Sequence, residues 1–90
     1  MHRVHVTIRG RVQGVGFRHF AYRRSRELGL TGWVSNRSDG AVEVEAEGSR
    51  ESIESLLADL RVGPTGARVV TIEDRWTEGT RRNRSFEIMD

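Results

Sequence analysis

Near its start the chain alternates strictly. Val4, Val6 and Ile8 are apolar and Arg3, His5, Thr7 and Arg9 polar, the period of two that predicts a strand with one buried face. The period changes after the glycines at 10, 14 and 16. Phe17, Phe20, Ala21, Arg24 and Leu28 then share one helical face, Tyr22, Arg23 and Arg26 look outward, and Gly29 suits the position just past a helix end. A helix of about ten residues is predicted there. Leu30 to Asn36 reads as a second strand, containing Trp33 and Val34. The turn sequence Arg37-Ser38-Asp39-Gly40 follows, and then Val42, Val44 and Ala46 alternate with Glu43, Glu45 and Glu47, completing a β-hairpin. Ser49 is placed to cap a second helix with Glu51 in its first turn. Ile53, Leu56, Leu57 and Leu60 form that helix's apolar stripe, and Gly63-Pro64 stops it. Val69 to Trp76 predicts a further strand, whose register the adjacent Val69 and Val70 leave ambiguous. Thr77 to Arg84 reads as a polar connection, its Arg81-Arg82-Asn83-Arg84 cluster solvated, and Phe86 to Ile88, with Met89, as a last short strand.

The order is βαββαβ with an added strand. Helices that each carry one apolar stripe, between single strands and a hairpin, imply two helices packed on one face of a mainly antiparallel sheet, an α+β split βαβ arrangement. Ninety residues make one domain, expected over 1–90, with no repeat or linker. No apolar run approaches the ~20 residues of a membrane span. The opening Met-His-Arg-Val-His enters a strand pattern without a leader, so the expected location is cytoplasmic.

Composition removes several chemistries. With no cysteine, disulfides, thiolate metal sites and cysteine nucleophiles are excluded. All fifteen basic residues are arginine, so a Schiff-base or Walker-type lysine is excluded as well. The pI of 10.3 comes with a net charge of only +2, because almost nothing titrates between histidine and tyrosine; it is a weak pointer to nucleic acid. Distribution says more. Residues 1–37 hold eight arginines and one acid, a net +7, and residues 38–60 hold seven acids and one arginine, a net −6. A field of that sign in the first third would draw in an anion. His2 and His5 have no third ligand in view, so no metal site is expected.

The positive third carries Gly10-Arg11-Val12-Gln13-Gly14-Val15-Gly16-Phe17-Arg18, a strand-to-helix turn. Glycines there leave amides bare and able to converge on an anion, and the helix start adds roughly half a positive charge. Arg18 sits where the dipole disfavours a cation, a conflict that a bound anion removes. The loop is neither a Walker motif, lacking Gly-Lys-Ser/Thr, nor a dinucleotide fingerprint, since His19 stands where the third glycine belongs. His19, about 100° round the helix from Arg18, reads as a surface or supporting residue. Trp33 and Trp76 read as core or rim aromatics.

Gly10 to Arg18, then Leu28-Gly-Leu-Thr-Gly-Trp-Val-Ser-Asn36 and Asp39-Gly40-Ala-Val-Glu-Val, closely resemble both signatures of the acylphosphatase family, and the likeness continues through Gly48, Gly63-Pro64, Ala67, Val69 and Phe86-Glu-Ile88. The resemblance implies a ferredoxin-like sandwich that hydrolyses acyl phosphates to carboxylate and inorganic phosphate without metal or other cofactor. It places the phosphate-binding arginine at Arg18 and the water-orienting asparagine at Asn36, with the amides of Gln13, Gly14, Val15, Gly16, Phe17 and Arg18 as the phosphate cradle. A similar module opens the large carbamoyltransferases of hydrogenase maturation; the chain ending with the module points to the free enzyme. The expected partner is a small acyl phosphate, with no nucleic acid or membrane, and the expected state is monomeric. The alternative is a non-catalytic anion- or RNA-binding ferredoxin-like module, since the same element order builds an RNA-recognition fold whose first and third strands present aromatics. Here the corresponding positions are His5, Thr7, Glu43, Glu45 and Glu47, and carboxylates repel a phosphodiester chain.

Overall fold

In the computed structural model, which describes residues 1–89, the first alternating segment forms strand β1 (His2–Arg11), with Val4, Val6 and Ile8 fully buried. The domain expected over 1–90 thus has its last residue, Asp90, outside the described residues. The other elements are α1 (Phe17–Glu27), β2 (Thr31–Asn36), β3 (Val42–Gly48), α2 (Arg50–Val62), β4 (Arg68–Glu78) and β5 (Phe86–Met89). The strands form one mixed sheet in the order β4-β1-β3-β2-β5. Every pairing is antiparallel except that of β2 with β5. The expected α+β sandwich is therefore present, with β5 as the added edge strand.

Register places the core. Val4 stands opposite Ala46, Val6 opposite Val44, Ile8 opposite Val42, and Val34 opposite Val44, so one sheet face is continuously apolar. Phe17 and Ala21 of α1 and Ile53, Leu56, Leu57 and Leu60 of α2 are buried in the same cluster. Each large side chain so buried contributes about 1.5–3 kcal/mol. Ser49 caps α2 as expected, its hydroxyl accepting from the Ser52 amide at 3.1 Å. On α1 the inward line differs from the expected one. It runs Phe17, Ala21, Ser25, while Arg24 turns to the seam between the helices, where its Nε donates to Asp59 and its Nη1 to Glu27. Tyr22, expected outside, is partly buried and packs against Phe86. The ambiguity at Val69-Val70 resolves as a bulge opposite Arg9 and Gly10, with Val69 packed on the core and Val70 exposed.

The other sheet face departs most from the alternation pattern. Glu45 and Glu47, expected to face solvent, are buried, Glu47 to 1% exposure. Segment 79–85 folds onto them. The amides of Arg82 and Asn83 donate to the two Glu47 oxygens at 2.8 and 3.0 Å, and the Asn83 side chain donates to Glu45 at 2.9 Å. Arg3 and Thr31 complete the Glu47 shell at 3.0 and 3.1 Å. Arg81, Arg82 and Arg84 remain exposed, as expected of a solvated cluster, but the segment is anchored through the backbone amides of Arg82 and Asn83. Alternation tells which face a residue takes, and carries nothing about a distant loop that later covers that face.

Burial by itself raises the Glu47 carboxyl, but the amides of Arg82 and Asn83, the Asn83 side chain and Arg3 outweigh it and hold it at about 2, against an ordinary 4.5. The unfolded chain therefore takes up this proton first as pH falls. Stability present above the unfolded value is lost between about pH 4.5 and pH 2, on the order of 3 kcal/mol. Urea unfolding followed from pH 7 to pH 2 should show this loss, and Glu47→Gln should be less stable at pH 7 with a flatter acid limb. Identical acid limbs in the two proteins would remove Glu47 as the cause.

Candidate active site

β1 and β2 both run antiparallel to β3, hence parallel to each other, and β5 runs parallel to β2. Their C-terminal ends therefore lie at one end of the sheet. The chain leaves β1 there, makes the glycine turn and enters α1, so a helix start faces the ends of β2 and β5.

Val12 is 1% exposed and roots the turn in the core. Gly14 and Gly16 then take φ values of 76° and 79°, a left-handed conformation that residues with a Cβ rarely adopt. Among the described residues nothing stands within 4 Å of where a Cβ would project from either one. Backbone conformation, not crowding, requires the glycines, and the space beside them is open. Gly16 is the N-cap residue of α1; no side chain caps this helix, and its first turn holds no acid. The first-turn amides have no partner within the helix and present its positive end.

A cavity of about 420 Å³ lies beside this turn, and Gly14, Gly16, Phe17, Arg18 and Asn36 all line it. Arg18, the second residue of α1, donates from Nη1 to the Met89 carbonyl at 3.2 Å, which spans the gap from α1 to β5. A guanidinium carries five donors in a planar fork, a shape that suits an anion such as phosphate. Asn36 ends β2, and its Oδ1 is buried without a hydrogen-bond partner among the described residues. Buried polar atoms are overwhelmingly paired, and an orphan acceptor in a cavity wall is a place for a donor that comes from outside the chain.

Gln13 and Val15 contribute no side chain to the cavity lining. Val15 packs against the core, and the Gln13 side chain turns to the β2–β3 hairpin, donating to the Arg37 and Ala41 carbonyls. The main chain is what either can offer a ligand here. His19 and Ile88 also line the cavity, beyond the residues the sequence motifs mark for it. Seen end-on, first-turn residues splay around the helix axis, so the angle between Arg18 and His19 does not remove His19 from the rim. Ile88 arrives through the parallel placement of β5, for which a four-residue strand carries no local signal.

The charge asymmetry of the sequence is partly neutralised locally. Arg3 pairs with Glu47, Arg9 and Arg37 with Asp39, and Arg24 with Glu27 and Asp59. The Ala41 amide, helped by Arg9 and Arg37, holds the Asp39 carboxyl below its ordinary range, which braces the hairpin turn after Asn36. His5 contacts Glu43 at 2.9 Å, and among the described residues no group of three or more His, Cys, Asp or Glu is placed to hold a metal. The described cavity lining includes no carboxylate, serine or cysteine. What it presents is a positive helix end, a guanidinium and an amide acceptor, an arrangement suited to gripping a tetrahedral anion and orienting a water.

A family model described as Acylphosphatase matches residues 4–88. The acylphosphatase of Salinibacter ruber is 48% identical over 86 residues, spanning 96% of this chain and 90% of its own. That of Methylococcus capsulatus is 49% identical over 89 residues, spanning 99% and 97%. The crystal structure of acylphosphatase from Bacillus subtilis superposes with a TM-score of 0.97 at 33% identity, over 100% of both chains.

Proposed function

The chain belongs to the acylphosphatase family and hydrolyses acyl phosphates, and from that premise we propose how the groups around the cavity divide the work. The phosphoryl group sits at the start of α1, its oxygens receiving the amides of Gln13, Gly14, Val15, Gly16, Phe17 and Arg18, with the Arg18 guanidinium as a charged fork. Phosphoryl transfer spreads charge over three equatorial oxygens, so fixed donors do most of the catalysis. Asn36 Oδ1 accepts from a water and holds it in line with the phosphorus.

The new P–O bond forms from that water as the bond to the acyl oxygen breaks, and the electron pair leaves with the carboxylate. An amide oxygen is no base, and His19 lies out on the rim. The water's proton passes to a phosphoryl oxygen of the substrate itself. A carboxylate is a good leaving group and needs no strong acid. The observation that carries this reading is the buried, unpartnered Asn36 Oδ1 in the wall that also holds Arg18 and the helix start.

The same reading has residues 1–90 acting as a monomeric cytoplasmic domain on a small acyl phosphate, without nucleic acid. Against the RNA alternative stands the covered sheet face, where Arg82 and Asn83 are bound to Glu45 and Glu47. Purified protein should hydrolyse benzoyl phosphate at a rate unchanged by EDTA. A rate that collapses on chelation and returns with added metal would overturn the metal-free mechanism.

A further inference from the structure

We propose that the Gln13 side chain is a positioning residue that sets the distance between the phosphate cradle and Asn36, an inference that rests on the hydrolytic reading above. Gln13 Nε2 donates to the Arg37 carbonyl at 2.8 Å and to the Ala41 carbonyl at 3.0 Å. Both partners are acceptors, so only the NH₂ end of the amide fits, and both of its protons are used. Each carbonyl also accepts once inside the hairpin, from the Gly40 amide at 3.2 Å and the Arg37 amide at 2.8 Å respectively. Gln13 thus occupies the second lone pair of each. The side chain closes a ring from the glycine turn to the residue directly after Asn36.

This tie matters because of the sheet order. β3 lies between β1 and β2, so the strands that deliver the cradle and Asn36 run about 10 Å apart, two strand spacings, with no ladder bond between them. Gly14 and Gly16 make the turn pliable on the far side of Gln13. The β1–β3 ladder reaches the hairpin only on the β3 side, ending at Ile8 opposite Val42. The ion pair from β1 to the hairpin turn, Arg9 to Asp39, joins two side chains that are 45% and 41% exposed, and such pairs hold geometry weakly. In-line attack is unforgiving: a displacement of about 1 Å costs roughly hundredfold in rate. Gln13 therefore acts on turnover through Asn36, not on phosphate affinity.

The test replaces Gln13 by Met, which keeps the length of the side chain and removes both donors. Turnover on benzoyl phosphate should fall about ten- to hundredfold while inhibition by inorganic phosphate stays within about threefold. In an Asn36→Ala background the same change should cost almost nothing further, because the group being positioned is gone. Gln13 is the only glutamine and Asn36 one of two asparagines, so three side-chain amide pairs are expected in the ¹⁵N spectrum. Gln13→Met should delete one pair and shift that of Asn36. In the wild-type protein the Gln13 pair should exchange with water at least about tenfold more slowly than a free amide, a measurement that stands even if the variant fails to fold. Wild-type turnover in Gln13→Met, equal losses of turnover and phosphate binding, full multiplication of the two substitutions, or free-amide exchange each overturns the proposal. A wild-type protein inert toward acyl phosphates overturns the hydrolytic reading instead, and the unmoved or shifted Asn36 pair then still reports whether Gln13 holds that residue.

Discussion

Arg18→Ala is expected to lower benzoyl phosphate hydrolysis by at least about a thousandfold and, in the same protein, to remove inhibition by inorganic phosphate. Loss of one neutral preorganised donor in comparable sites costs about 2.7–4 kcal/mol, and a charged fork gives more than one neutral donor does. Substrate and product share the phosphoryl group, so both must lose affinity when the group that grips it is removed. Arg18→Lys should recover only a small part, because an ammonium lacks the planar fork that matches two phosphate oxygens. The guanidinium's bond to the Met89 carbonyl is exposed, and loss of such a bond costs folding about 1 kcal/mol. Turnover lost with phosphate inhibition intact, or turnover retained, would take Arg18 out of the phosphate site.

The second large effect is of a different kind. Asn36→Ala should lower turnover by about a hundred- to a thousandfold while KM and phosphate inhibition stay within about threefold, because the water and not the phosphate loses its holder. The substitution also has an unusual stability signature. A buried acceptor without a partner costs a protein about 1–3 kcal/mol, so deleting Asn36 Oδ1 should leave the unfolding midpoint unchanged or raise it. A structural asparagine at the end of a strand would do the opposite on both counts. Thermal unfolding and steady-state kinetics on one preparation decide between them; a destabilised variant with ordinary turnover would return Asn36 to a turn-forming role.

The elements of the fold could be read from residue patterns because each rests on local periodicity. Alternation gave β1 and β3, the Ile53–Leu60 stripe gave α2, and Ser49 was recognisable as its cap. The glycine turn and Asn36 were visible as motifs, and the sheet brings both to one cavity. What stayed hidden depends on contacts between residues far apart in the chain. Segment 79–85 reaches Glu47 across more than thirty positions, and no local pattern marks that pairing. The sequence marks Gln13 for its backbone amide alone, because the carbonyls its side chain finds belong to a turn more than twenty residues away. On α1 the choice between Arg24 and Ser25 as the inward residue was settled by α2, whose Asp59 offers the guanidinium a partner at the seam.

One further consequence follows from the position of β5. β5 lies against β2, and it supplies both Ile88 to the cavity wall and the Met89 carbonyl that accepts from Arg18. A ribosome delivers residues 12–36, with the whole phosphate turn and Asn36, long before residues 86–89 leave the exit tunnel. The nascent chain therefore holds the turn and Asn36 before it holds the wall that β5 supplies, and the cavity is closed on that side only once β5 zips onto the edge of the sheet.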